Sequence, residues 1–87
     1  MNEFINIGNG VFVNEDKIRI IMQADAGKVR RILNKKGLDK SSNLYWDAVG
    51  DKEIRSLIVL DDGMVVVSPV TSQSICKRKN IKSLEEI

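Results

Sequence analysis

The 87-residue chain contains no histidine, one cysteine, one proline and few aromatic residues, 5% in all. Without histidine there can be no His general base, no Ser-His-Asp or Cys-His nucleophile, and almost no zinc site. Cys76 has no partner for an intramolecular disulfide, and no Cys/His set exists to hold a structural metal. The longest apolar runs, Leu57–Leu60 and Met64–Val67, are four residues each, whereas a membrane span needs about 20. The first residues include Glu3 and lack a basic segment followed by an apolar one, so no signal peptide is expected. No repeat, linker or low-complexity stretch interrupts the chain. These absences predict a soluble, cytoplasmic protein that is not an enzyme, with no cofactor and no metal. A net charge of +2 is too mild to announce nucleic-acid binding by itself.

What is present suits one small globular unit. Hydrophobic residues make up 43% and charged residues 30%, an ordinary globular balance. A chain this short has room for one hydrophobic core. The reading is a single domain over 1–87, with its core at about 4–79 and a tail at 80–87. Met1 to Ile7 begins as a strand, Gly8-Asn9-Gly10 is a hairpin turn, and Val11-Phe12-Val13 is the second strand. After the polar break at Asn14-Glu15-Asp16, Ile18, Ile20 and Met22 alternate with Lys17, Arg19 and Ile21. This predicts a half-buried strand with Lys17 and Arg19 on the wet face. Asp25 is a candidate N-cap, Val29, Ile32 and Leu33 form an apolar helical stripe, and Gly37 suits the C-terminal stop. The helix is placed at about 26–36.

Beyond it, Leu44 to Val49, Arg55 to Leu60 and Met64 to Ser68 read as strands, the last near-continuously apolar, so that both its faces are expected to be covered, either by the helix or by another subunit. Gly50-Asp51-Lys52-Glu53 is read as a hairpin turn flanked by Lys52 and Arg55. Asp61-Asp62-Gly63 signals a type I′ hairpin. Pro69 ends the last strand, and Thr71 or Ser72 caps a second helix with Ile75, Cys76 and the Lys79 stem inward. The order β-β-β-α-β-β-β-α is α+β: a small β-rich domain with about five to six short strands, one central helix and a C-terminal helix.

Candidate chemistry is sparse. Gly8-Asn9-Gly10 is not followed by a helix or a Lys-Ser/Thr pair, so it is a turn and not a phosphate loop. Asp47, Asp51, Asp61 and Asp62 lack a nucleophile and an orienting partner, so they read as structural or solvated. Cys76 precedes Lys77-Arg78-Lys79, and cations lower a thiol pKa, but its place on a helical stripe makes it an inert core residue. Tyr45 and Trp46 must point to opposite faces of a strand, one into the core and one as an interface anchor or stacking platform. The charge is unevenly distributed. Lys28, Arg30, Arg31, Lys35, Lys36 and Lys40 face only Asp39 within 28–40, while acids collect at Glu15/Asp16, Asp61/Asp62 and Glu85/Glu86. The helical spacing puts Lys28, Arg31 and Lys35 on one flank and Arg30 on the other.

Taken in order, these residues resemble a known family. Ile5-Asn6-Ile7-Gly8-x-Gly10, Lys17 with Ile18-x-Ile20, Val29-Arg30-Arg31-Ile32, Asp47-Ala48, Arg55, Asp61 and Val65 to Ser68 are similar to the RemA-type extracellular-matrix regulators. The likeness covers about residues 4–79. It implies a DNA-binding transcriptional regulator of biofilm-matrix genes, with a fold similar to the LytTR DNA-binding domain. It implies homo-oligomeric rings that present basic residues to double-stranded promoter DNA. The family's basic position after the second strand is matched by Lys17. Its Arg-Arg-x-Arg turn reads here as Lys52-Glu53-Ile54-Arg55, and its Tyr-Gly pair as Gly50-Asp51. Glu53 therefore sets an anion where the family has a cation. The resemblance points to Lys17, Lys52 and Arg55 as DNA-contacting residues, and the basic residues Arg19 on the strand and Arg31 on the helix join them as candidates. The competing reading of the residues is a self-assembling, protein-binding module that does not touch DNA.

Overall fold

The computed structural model describes residues 3–78. Along them run β1 (Phe4–Asn6), β2 (Phe12–Asn14), a 3-10 turn (Glu15–Lys17) and β3 (Ile18–Gln23). Then follow α1 (Ala26–Lys36), β4 (Tyr45–Asp47), β5 (Ser56–Leu60), β6 (Val65–Ser68) and α2 (Ser72–Arg78). The fold is α+β, as the patterning predicts. Met1 and Asn2 of the first expected strand, Lys79 and the 80–87 tail lie outside the described residues. Among the described residues no helix is long and apolar enough to cross a membrane.

The apolar runs of β5 and β6 become the middle of a four-stranded sheet ordered β3-β5-β6-β4. Alternation along these two strands serves two cores at once. Leu57, Val59, Val65 and Val67 pack with Val29 and Leu33 of α1. Ile58 and Val66 face the other way and pack with Ile5, Ile7 and Val13 of the β1–β2 ribbon and Ile75 of α2. The result is three layers: α1, sheet, then ribbon with α2. Each such side chain, fully buried, contributes roughly 1.5–3 kcal/mol. Both faces of β6 are covered from within the chain. On α2, Ile75 alone enters the core; Cys76 is half-buried and free, so its predicted inward place is not reached.

Strand order corrects one expectation. β4 pairs with β6 in parallel, and β6 sits between β4 and β5. Gly50 to Glu53 is therefore not a hairpin turn but a connection across the end of the sheet. Asp47 shapes its start, accepting from the Val49 N–H at 2.7 Å.

Local chemistry sets the other boundaries. The Asp25 carboxylate accepts from the Lys28 N–H at 2.8 Å, and Gly37 closes α1 with its N–H on the Leu33 and Asn34 carbonyls. The predicted 26–36 span is the observed one. The β5–β6 turn is not type I′. Asp61 and Asp62 keep negative φ, and only Gly63 is left-handed at +89°. The Gly63 N–H reaches the Leu60 carbonyl at 2.9 Å, giving a type I turn with a glycine bulge. Asp62 favours this form because its carboxylate accepts from the Met64 N–H at 3.0 Å. β3 departs from strict alternation. A bulge between Ile18 and Ile20 lets Ile18 and Ile21 both face the ribbon-side core and leaves Ile20 44% exposed. Lys17 belongs to the 3-10 turn and not to the strand.

Ser56 and Ser68 lie opposite each other in the β5–β6 register, both wholly buried. The Ser68 hydroxyl donates to the Ile7 carbonyl at 2.5 Å and accepts from the Val70 N–H at 3.0 Å. The Ser56 hydroxyl donates to the Val70 carbonyl at 2.6 Å. The pair ties the ribbon and the segment leading to α2 onto the sheet. Beside this tie the backbone of Gly8 presses against Pro69. A Cβ on Gly8 would stand 2.8 Å from the Pro69 ring, and Gly8 has φ +107°.

Ser68→Ala leaves a buried carbonyl and N–H without partners, so chemical denaturation should show a loss of about 1–3 kcal/mol. Gln73→Ala, on the exposed side of α2, should stay within about 0.5 kcal/mol. The Lys28 N–H, aided by the Arg31 cation, holds the Asp25 carboxyl below its ordinary 3.8. A depressed carboxyl stabilises the fold above its unfolded pKa and loses that contribution as pH falls through the folded value. Wild type should therefore lose thermal stability more steeply below pH 3.8 than Asp25→Asn, which keeps a capping oxygen that does not titrate.

Candidate nucleic-acid interface

Strand β5 measures the distance between the basic residues singled out in the sequence. At its start, Arg55 is held by backbone alone. Its N–H donates to the Ser68 carbonyl at 2.9 Å, and its carbonyl accepts from the Ala24 N–H at 3.1 Å. At its far end the Asp61 N–H donates to the Lys17 carbonyl at 2.8 Å. Arg55 and Lys17 thus stand just beyond opposite ends of a five-residue strand, about 20 Å apart along it. Lys52 lies on the connection leading into Arg55. Arg19 is exposed at the bulge of β3, an edge strand of the sheet. Arg31 lies on α1 beside Gln23, Ala24, Asp25 and Lys28 in one polar groove. Arg31 and Arg55 therefore flank the same β3–α1 junction, whereas Lys17 and Arg19 lie towards the other end.

The two ends differ in charge. Lys17 is surrounded in sequence and space by Glu15, Asp16, Asp61 and Asp62, because the 3-10 turn and the β5–β6 turn share a backbone bond. The 51–55 connection balances Lys52 and Arg55 against Asp51 and Glu53. The Arg55 guanidinium meets the Glu53 carboxylate at 3.5 Å, with both side chains more than half exposed. Such pairs contribute about 0–1 kcal/mol, so this one neither fixes Arg55 nor neutralises it firmly. On α1 the five cations Lys28, Arg30, Arg31, Lys35 and Lys36 are all exposed. None of them enters an ion pair among the described residues. The Lys28 ammonium donates to the Gln23 carbonyl at 3.2 Å, which lays that flank of α1 along β3. Helical spacing already groups Lys28 and Lys35 with Arg31 in the sequence. The sheet edge that this flank would line is not visible there.

The ribbon side of the sheet is different. Phe12, Val13, Trp46, Leu60, Met64 and Val66 line an apolar groove with Lys17 at its rim. Phe4, Phe12 and Trp46 are 64%, 57% and 54% exposed. Tyr45 and Trp46 do point to opposite faces. Tyr45 packs half-buried against the α1-side core, and Trp46 is the outward aromatic. Partial burial, with the Asp47 carboxylate adding, raises the Tyr45 phenol above its ordinary 10.0, so it remains protonated at neutral pH. No three Asp, Glu or Cys side chains converge among the described residues.

Residues 4–78 match the model of a family described as RemA-like, extracellular matrix regulatory protein A-like. Chains from Bacillus cytotoxicus, Bacillus mycoides and Bacillus cereus, each named simply as a regulatory protein, are 33% identical to this one over 79 residues. The match spans 91% of this chain and 87% of each relative. The chain belongs to the RemA-like family of extracellular matrix regulatory proteins.

Proposed function

We propose that the protein is a DNA-binding transcriptional regulator of the extracellular-matrix type, acting as a homo-oligomeric ring on duplex promoter DNA. The observation that carries this reading is the setting of Arg55. Two backbone hydrogen bonds hold it at the β3–α1 junction, next to a helix whose five cations form no ion pair among the described residues. Lys52, Arg55 and Arg31 bind phosphate oxygens at this end, and Lys17 and Arg19 do so at the other. Contacts of this kind position a protein on the duplex without reading bases. One subunit offers few of them, so affinity comes from repetition around the ring. The exposed Phe4, Phe12 and Trp46 supply an apolar surface suited to self-assembly. Sequence preference then arises from the cost of bending DNA along the ring.

A protein-binding module without DNA contact is the second reading. The Glu53 carboxylate beside Arg55 and the apolar groove under Trp46 favour it. Titration of the oligomer into labelled duplex at two salt concentrations separates the two. DNA binding should weaken steeply with salt, at a log–log slope of about −0.9 per phosphate neutralised. Lys52→Ala with Arg55→Ala should weaken binding on all sequences alike; wild-type affinity in that variant would remove the connection from the interface. Glu53→Gln takes an anion away from Arg55 and should tighten binding a few-fold at low salt, with the gain fading as salt rises.

A further inference from the structure

We infer that one continuous phosphate-binding stripe runs along the β3 edge of the sheet, in which Lys28, Arg31 and Lys35 of α1 join the Arg55 end to the Arg19 end. The inference rests on the DNA-binding reading and assigns its main contact surface. Two residues, Ala24 and Asp25, separate β3 from α1, so the helix must turn back over the sheet beside the strand it has just left. The hydrogen bond from the Lys28 ammonium to the Gln23 carbonyl fixes which flank faces β3. Arg31 lines the same groove, and Ile32 and Met22 pack into the core beneath. Lys35 lies four residues beyond Arg31 on that flank. From Lys28 to Lys35 the helix advances about 10 Å. From Gln23 back to Arg19, β3 covers about 13 Å. The helix cations therefore run level with the strand towards the bulge that exposes Arg19. Ile20 shares the α1 face through its register with Val59 and stays 44% exposed, so the edge between helix and strand is open.

Charge bookkeeping favours this edge over the 51–55 connection. That connection is balanced, two cations to two anions, and Glu53 already sits on Arg55. The α1 flank has Asp25 alone nearby, and that carboxylate is engaged with the Lys28 N–H. Phosphates advance about 3.4 Å per strand along a duplex, so three cations over about 10 Å match about three consecutive phosphates. The stripe also fills the gap that folding opens between Arg55 and the Arg19 end.

The test compares Lys28→Gln/Arg31→Gln/Lys35→Gln with Arg30→Gln/Lys40→Gln, which alters the opposite flank of α1 and the loop that follows it there. Affinity for a labelled duplex is measured by fluorescence anisotropy between 50 and 200 mM salt, and thermal melts check that each variant keeps its fold. Each phosphate contact removed should reduce the salt slope by about 1, so the triple variant should lose about 3 per engaged subunit. The control pair should lose less than 1. An unchanged slope in the triple variant overturns the stripe. So does an equal loss per charge in the control, which would make the effect one of diffuse charge. If Lys52→Ala/Arg55→Ala alone weakens binding, the stripe falls and the DNA-binding reading stands. If wild-type oligomer binds no DNA at the lowest salt, both fall.

Discussion

Strands β5 and β6 have no face that water reaches, and the remaining elements are arranged to keep it so. Ser56 to Val59 and Val65 to Ser68 are buried without exception. A sheet interior of this kind needs a cover on each side. The helix α1 supplies one through Val29 and Leu33. The β1–β2 ribbon and α2 supply the other through Ile5, Ile7, Val13 and Ile75. The ribbon is too short to be stable alone, so its attachment matters. The buried hydroxyl of Ser68 on the Ile7 carbonyl provides it, within the same cluster of bonds that holds Val70.

That constraint also explains where the charges are. With the middle strands closed to solvent, cations are left to strand ends, the β3 edge and the outer face of α1. Magnitudes decide which of them are firmly placed. The exposed Arg55–Glu53 pair contributes little. The two backbone bonds of Arg55 are part of the sheet and its junction with α1, so its position is as secure as β5 itself. The stems of Lys28 and Arg31 are likewise set by a helix capped at both ends.

The apolar groove beside Trp46 and the Lys28–Arg31–Lys35 flank lie on opposite faces of the sheet, because Trp46 pairs with Val66 on the ribbon side and α1 covers the other. Assembly through the first surface leaves the second free. Lys17 stands at the rim of the groove, away from that flank.

The sequence by itself determined what depends on a few neighbouring residues. Asp25 and Gly37 bound α1, the glycines at 8 and 10 make the ribbon turn, and the near-continuous apolar run of 64–68 marks a strand covered on two sides. The absence of histidine excludes sites that depend on an imidazole. Tertiary structure decided what depends on partners far along the chain. β6 inserts between β4 and β5, which turns an expected hairpin into a crossing connection and brings Arg55 to Ala24. Pairing of β3 with β5 required a bulge near Arg19, which swung Ile20 out and moved Ile21 in. Caps and turns are satisfied by atoms within about four residues, so they can be read locally. Strand order and register minimise the exposed apolar surface of the whole chain, and for that reason the separation of Lys17 from Arg55 could be seen only after folding.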